Sequence, residues 1–407
     1  MPLAPSNTSA VTKPAEQARL AALLREAQGV KGVSLGQDAW RRLKKSWGAM
    51  TALVFLGLMF LTALLTPLLP LQSPLFQRLD KKFTYKPPTL AASRLNLDVT
   101  QMQQIDAQIS DLRRQFRTAN QDEQKSLREE ITLLERKHPV NRLWTKTDLI
   151  SHQMIRLRLR IFGNWSLPSL CGTDELGRDV LARICWGARV SLMVGLVATF
   201  VSLFIGVTYG ALAGYLGGWA DTIMMQIVDI LYSIPFIFLV IFVITVLSEP
   251  TVKTNLEALG VGRITLLYIL IGTIYWLTMA RVVRGQVISL KNEPYIDAAR
   301  TAGAGTFRIL FRHLIPNVLG VVIVYLTLTI PSVILFESFL SFLGLGVQPP
   351  DVSLGLLVND GVKVITPIRI HWWLVLFPGL VLALTLLALN FLGDGLRDAL
   401  DPRLKNR

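Results

Sequence analysis

The chain has 407 residues, of which 51% are hydrophobic and only 17% charged, with a formal net charge of +14 and a mean hydropathy of +0.45. Soluble chains carry about a quarter charged residues, so an apolar excess gathered into long runs excludes an ordinary soluble protein and marks an integral membrane protein. The basic excess flanks those runs as the positive-inside bias requires, and no aromatic–basic module or zinc spacing accompanies it, which sets nucleic acid aside.

In chain order, residues 1–32 are rich in Ala, Pro, Gln and Ser and read as a disordered tail. Leu35, Ala39, Leu43 and Trp47 then share a helical face, ringed by Arg41, Arg42, Lys44 and Lys45. That pattern predicts an interfacial helix against anionic lipid, with plain basic flanking as the alternative, and closes a cytoplasmic N-terminal segment 1–47. Residues 48–71 form the first span, set too far into the chain to read as a cleavable signal.

Residues 72–189 then lie outside the membrane. Ile105, Ile109, Leu112 and Phe116, followed after a polar break by Leu127, Ile131 and Leu134, repeat at helical spacing. They predict an antiparallel helical hairpin over about 98–137, either a decoration or a contact for an extracytoplasmic partner. Arg156, Leu157, Arg158, Leu159 and Arg160 alternate, which predicts a short strand. The two cysteines, Cys171 and Cys185, read as unpaired thiols, with a disulfide in an oxidising compartment as the alternative, since sequence does not fix their geometry.

A core follows over 190–393, with apolar runs at 190–216, 227–247, 264–280, 318–336 and 372–392, and then a basic tail over 394–407 ending in Arg403, Lys405 and Arg407. Six spans with a cytoplasmic N-terminus place residues 281–317 and the C-terminus inside, where the loop carries Arg281, Arg284, Lys291, Arg300, Arg308 and Arg312. The basic outer segment does not oppose this topology, because long loops translocate largely regardless of charge. Asp229 and Glu337 fall at span ends, as interfacial acids or as acids lining a pathway or gate. Pro235 and Pro331 would each loosen a helix locally.

No Gly-x-x-x-x-Gly-Lys-Ser/Thr string occurs, so this chain does not cradle ATP phosphates by that route. His138, His152, His313 and His371 have no metal-ligand spacing, and no nucleophile–base order is evident, so no enzyme is read here. A secondary transporter would show internal repeats and a midplane acidic cluster, and neither is apparent.

The segment 292–317 reads NEPYIDAARTAGAGTFRILFRHLIPN, a polar stretch between two spans. Asn292 is placed to cap a helix with Glu293 and Pro294 in its first turn, Ala298 and Ala299 keep that helix thin, and Gly303 and Gly305 permit a turn into a second short helix over 306–313. Asp297, Ala298, Ala299, Gly303, Ile315 and Pro316 make it similar to the EAA loop of ABC importer permeases. Asp297 replaces the usual Glu, and the ending His313-Leu-Ile-Pro-Asn resembles the peptide and nickel branch. Further motifs stand in order around it: Gly172, Thr173, Asp174, Gly177, Arg178 and Asp179 as GTDxxGRD, 338–346 as SFLSFLGLG, and 394–402 as DGLRDALDP. Together they resemble the C-type permease subunit of an oligopeptide importer over about 33–70 and 168–405, whereas 71–167 depart from it.

The resemblance implies an all-α integral membrane protein with six transmembrane helices of the type I ABC importer permease fold and a helical extracytoplasmic insertion between helices 1 and 2. It implies that Glu293, Tyr295, Asp297, Ala298, Ala299, Gly303, Arg312, His313, Ile315 and Pro316 dock into a cytoplasmic ATPase. It implies no cofactor in this chain, with ATP and magnesium held by partner ATPase subunits. The implied partners are a homologous B-type permease, two ABC ATPase subunits, an extracytoplasmic peptide-binding protein and the lipid bilayer, and the implied location is the cytoplasmic (inner) membrane with both termini inside. Oligopeptides, dipeptides, nickel complexes and other small solutes remain open as cargo.

Overall fold

The computed structural model describes residues 35–400 apart from 92, 96–98, 145–148, 248, 253–255 and 257–262. The tail read at 1–32, the basic residues Arg403, Lys405 and Arg407, and Pro402 of the DGLRDALDP motif lie outside the described residues. Among the described residues five helices are long and apolar enough to cross a membrane, and a bent pair makes a sixth span.

A short helix, α1 (Leu35–Lys45), precedes the first span, α2 (Trp47–Leu65), and Ser46 between them caps α2. Trp47 therefore belongs to the span and not to the amphipathic helix. The apolar side of α1 is not given wholly to lipid. Leu43 is buried against Ala49 and Ala399, with Ala39 and Leu396 beside them, so α1 packs onto the C-terminal end of the last span. Trp40 and Trp47 stay exposed, and the Lys44 ammonium sits 5.2 Å over the Trp40 ring.

The segment between the first two spans contains α3 (Val99–Thr118), α4 (Gln121–Lys137), α5 (Pro139–Leu143) and α6 (Leu149–Phe162), with a two-residue ladder joining β1 (Ser93–Arg94) to β2 (Trp165–Ser166). Helices α3 and α4 fold back on each other, tied by Arg113 to Glu135 at 2.9 Å. The alternating Arg–Leu stretch is not a strand but part of α6. Its burial follows the helical period: Ile155, Arg158 and Leu159 face inward at i, i+3 and i+4, while Leu157 is exposed. Arg158 is buried and donates through Nε to the Leu69 carbonyl (3.1 Å) and through Nη2 to the Leu71 carbonyl (2.9 Å), so the insertion grips the chain where it leaves the first span. Burial lowers its pKa to about 10. Met102, Val140, Leu143, Trp144, Ile155 and Leu159 give the insertion a small core of its own.

The second span, α7 (Val180–Leu216), starts well before the apolar run because Asp179 caps it, accepting from the Leu181 N–H at 2.9 Å. A π turn interrupts it at Ser202–Gly206, where the Ser202 hydroxyl donates to the Tyr275 carbonyl at 3.0 Å. Gly206, Gly210 and Gly214 recur every fourth residue and face the fourth span, α10 (Arg263–Leu290). A Cβ at Gly214 would stand 2.8 Å from the Arg284 carbonyl, so the two backbones meet as small-residue stripes allow.

The third span is two helices, α8 (Gly218–Ser233) and α9 (Phe236–Leu247), bent by 80°. Pro235 explains the break: Ile234 before it takes the extended ψ of 120° that a following proline imposes. Pro331 makes no such break, lying buried inside the continuous fifth span, α12 (Thr306–Phe342). Neighbouring helices support the chain there, as they do for prolines in many membrane spans. The second short helix expected over 306–313 is instead the N-terminal end of α12, joined through a π turn at Leu310–Leu314.

A further helix, α13 (Leu354–Lys363), is wedged between α7, α12 and the sixth span, α14 (Trp373–Leu400). Ser353 caps it, and Leu354, Leu356 and Leu357 are buried.

Candidate functional site

Between α10 and α12 lies one short helix, α11 (Pro294–Thr301). Glu293, not Asn292, is its N-cap residue, and Pro294 occupies the first turn, where a missing N–H costs nothing. Its end is a Schellman turn: the Ala304 N–H donates to Ala299 O (3.0 Å) and the Gly303 N–H to Arg300 O (2.9 Å). Gly303 has φ +80°, so the turn requires it, whereas Gly305 is the N-cap of the next helix at φ −69° and does not.

Eight residues do not hold a helix in water unaided. The anchor is Ile296, fully buried among Val207, Ala211, Met279, Val283, Val287, Ile309 and Leu310 of three spans. The sequence reading passed over it, although it is the lone large aliphatic residue in the α11 segment. On the other side the helix is open. Tyr295, Asp297 and Ala298 are exposed and Ala299 is half-buried. Asp297 pairs with Arg300 at 3.1 Å, and Arg300 lies 5.7 Å over the Tyr215 ring. Asn317 donates to the Tyr295 hydroxyl (3.1 Å) and to the His313 carbonyl (2.8 Å), tying α11 to the start of the fifth span. Arg312 and Pro316 are exposed, and His313 and Ile315 are half-buried. Two aromatics one helical turn apart, Phe307 and Phe311, are 70% and 56% exposed beside α11. This is a rigidly seated helix with an aromatic, uncovered outer face.

At the opposite end of the spans, the GTDxxGRD residues form a buried knot. Asp174 Oδ1 accepts from the Leu176 and Arg178 N–H groups (3.0 and 2.9 Å), and Oδ2 accepts from Arg178 Nε and Arg183 Nη1 (both 2.7 Å). Arg183 continues to Asp360 at 3.1 Å, which brings in α13. Thr173 donates to Phe83 O (2.6 Å) and accepts from Lys86 N–H (2.8 Å), and its carbonyl accepts from the Trp373 indole (3.3 Å). Gly172 and Gly177 both have positive φ and abut the backbone at Lys86 and Arg78. Asp179 is buried, and burial pushes its carboxyl up to about 7. The motif therefore fastens the segment after the first span to the N-terminal ends of the second and sixth. Cys171 and Cys185 nearby are free thiols.

Among the described residues no group of three or more side chains could hold a metal ion. Residues 206–406 match the family model described as "Binding-protein-dependent transport system inner membrane component". Residues 34–88 match "N-terminal TM domain of oligopeptide transport permease C". The oligopeptide transport system permease protein of Escherichia coli (strain K12) is 52% identical over 232 residues, 57% of this chain and 72% of that protein. The dipeptide transport system permease protein of Bacillus subtilis (strain 168) is 45% identical over 234 residues, 58% of this chain and 68% of that protein. The chain belongs to this family of permeases. It is a membrane transport component, not an enzyme.

In this permease the two acids singled out from the sequence have different surroundings, and neither is at a helix end. Glu337 is fully buried in α12. It accepts from Ser341 Oγ (2.7 Å) and Ser191 Oγ (3.2 Å), while Ser191 also accepts from the Leu354 N–H (3.2 Å), so this carboxyl joins the second span, the fifth span and α13. Asp229 lies within α8, four residues before its end at Ser233, and its side chain is 66% exposed while paired with Arg281 at 2.7 Å. Pro235 marks the break beyond it, and Pro331 is packed within the fifth span. The sequence spacing brings Asp229 near Arg281 only through the fold, since the two stand on different spans.

Proposed function

We propose that this permease forms one half of an ATP-driven pathway that imports oligopeptides or dipeptides across the cytoplasmic membrane, coupled through residues 281–317 to separate ATPase subunits. The observation that carries the coupling is α11: a helix seated on the spans by Ile296 and open on its Tyr295–Ala298 side, with Phe307 and Phe311 uncovered beside it. Exposed aromatics next to a short rigid helix suit a partner groove, because aromatic anchors carry much of the energy at protein interfaces. The names of its relatives support peptide as the cargo.

On this reading both termini and the loop are cytoplasmic, and the insertion and GTDxxGRD knot are outside. The loop residues Glu293, Tyr295, Asp297, Ala298, Ala299, Gly303, Arg312, His313, Ile315 and Pro316 form or support the docking surface. A homologous second permease, two ATPases holding ATP and magnesium, and an extracytoplasmic peptide-binding protein complete the complex. The experiment is Ala298→Trp in the complex reconstituted in vesicles. A bulky ring on the open face abolishes peptide-stimulated ATP hydrolysis while the subunit still inserts, and unchanged stimulation removes the docking role.

A further inference from the structure

Helix α6 has two apolar faces, and the insertion covers only one of them. Ile155 and Leu159 are buried in the insertion core. On the other side Ile150, Met154, Leu157 and Ile161 recur at 4-3-4 spacing and so share a stripe. Ile150, Leu157 and Ile161 are 69%, 48% and 60% exposed, and Met154 is half-buried. A contiguous apolar stripe left open marks a surface that binds something.

Hydrogen bonds at two points fix the depth of this helix against the spans. Near its start, the Ser151 hydroxyl accepts from Arg189 Nη1 at 2.6 Å. Arg189 stands immediately before the apolar run 190–216 of the second span. Two turns further along α6, Arg158 donates to the Leu69 and Leu71 carbonyls, where the apolar run 48–71 of the first span ends. Both ties lie where hydrocarbon gives way to water, so α6 runs along that boundary. Just beyond its end Trp165 is 47% exposed, with its ring centroid 6.1 Å from that of Phe162. Half-exposed tryptophan is the usual aromatic at headgroup depth.

The charge on this stretch has one sign. Residues 149–165 contain Arg156, Arg158 and Arg160 but no Asp or Glu. Arg158 is held by backbone carbonyls, and Arg156 pairs with Asp106 at 3.3 Å. Arg160 is exposed at the edge of the apolar stripe and has no ion-pair partner among the described residues.

We propose that α6 is an interfacial helix: its Ile150–Ile161 stripe lies between the headgroups and acyl chains of the adjoining leaflet, and Arg160 takes the phosphate of an anionic lipid. An apolar face bordered by arginine, set at the membrane boundary, is the arrangement that binds a lipid surface in this way. The insertion is thereby held along one side by the bilayer as well as by the ends of the first two spans. The assignment holds whichever side of the membrane carries the insertion.

The test uses the full-length permease with Leu157→Cys, an exposed position, carrying a bimane fluorophore in vesicles of phosphatidylcholine and phosphatidylglycerol. Brominated lipid quenches the label strongly, and iodide present on both faces quenches it little. The same label at Ser110→Cys on α3 supplies the water-exposed reference. Iodide quenching at Leu157→Cys equal to that reference puts the stripe in water, and protection from both quenchers puts it against protein; either result overturns the proposal. Brominated phosphatidylglycerol binds beside the label about fivefold more tightly than brominated phosphatidylcholine, the scale of one arginine at an anionic surface. Arg160→Gln removes that preference. Equal quenching by the two lipids with Arg160 present, or a preference that survives Arg160→Gln, overturns the phosphate contact.

Discussion

Replacing Ile296 by alanine attacks the seat of α11 without touching its outer face. The side chain is fully buried among residues of the second, fourth and fifth spans. Truncating a buried isoleucine to alanine costs about 2–4 kcal/mol once the cavity is included. An eight-residue helix has no stability of its own to offset that loss. The equilibrium between seated and loose α11 therefore shifts by about 30-fold to about 700-fold. Two assays read this: amide exchange over residues 294–301 accelerates, and peptide-stimulated ATP hydrolysis in vesicles falls while the subunit remains inserted. Ile296→Val, which removes one methyl group and costs about 1 kcal/mol, gives an intermediate value in both. Native exchange protection together with native stimulation in Ile296→Ala would refute the reasoning that the buried seat holds the coupling helix.

Other outcomes follow from the GTDxxGRD end of the spans. Asp174→Asn leaves Arg183, whose side chain is 2% exposed, with only the more exposed Asp360; breaking a buried pair this way costs about 3–5 kcal/mol, so the thermal midpoint of the purified subunit drops sharply, whereas Asp360→Asn lowers it less. Asp179 has a folded-state pKa raised by burial from 3.8 to about 7, so the fold binds its proton more tightly than the unfolded chain does and stability declines as pH rises from about 4 to about 7. Asp179→Asn keeps a capping side chain and flattens that decline in thermal unfolding measured across the window. Replacing residues 107–134 by a short Gly-Ser linker spares Val140, Trp144, Ile155 and Leu159 of the insertion core; membrane insertion persists and affinity for the binding protein weakens, while unchanged affinity assigns the hairpin to decoration.

The sequence announced the spans because hydrocarbon demands long apolar runs, and it announced the loop because a polar segment stood between two of them. It did not announce where helices end. Val180 to Arg189 are helical outside the apolar run, as are Arg281 to Leu290, since polar residues beyond the lipid extend a helix without raising hydropathy. The alternating Arg156–Arg160 stretch misled because alternation by residue type is not alternation by burial: adjacent Arg158 and Leu159 are both buried, the arginine held by backbone carbonyls that no local pattern reveals. Helix α13 escaped notice for the opposite reason, being a short segment whose Leu354 and Leu357 are buried by spans distant in the chain. Pro235 and Pro331 look alike in sequence, yet only the first breaks its helix. The EAA-like residues were legible as a motif, but their anchor Ile296 and the exposed Phe307 and Phe311 emerge only when the loop is folded against the spans.

The central claim is that α11 touches an ATPase on the cytoplasmic side. The most direct measurement is a cross-link from Ala298→Cys to the ATPase subunits in intact membranes with a short bifunctional maleimide. Cys171 is buried with its thiol pushed up to about 12 and Cys185 is half-buried within α7, so the two native cysteines contribute little background. An adduct of permease plus ATPase from Ala298→Cys, and none from Ser110→Cys on the outer hairpin, is the predicted result. No adduct from Ala298→Cys in a complex that hydrolyses ATP on peptide addition, or an ATPase adduct from Ser110→Cys, would contradict it.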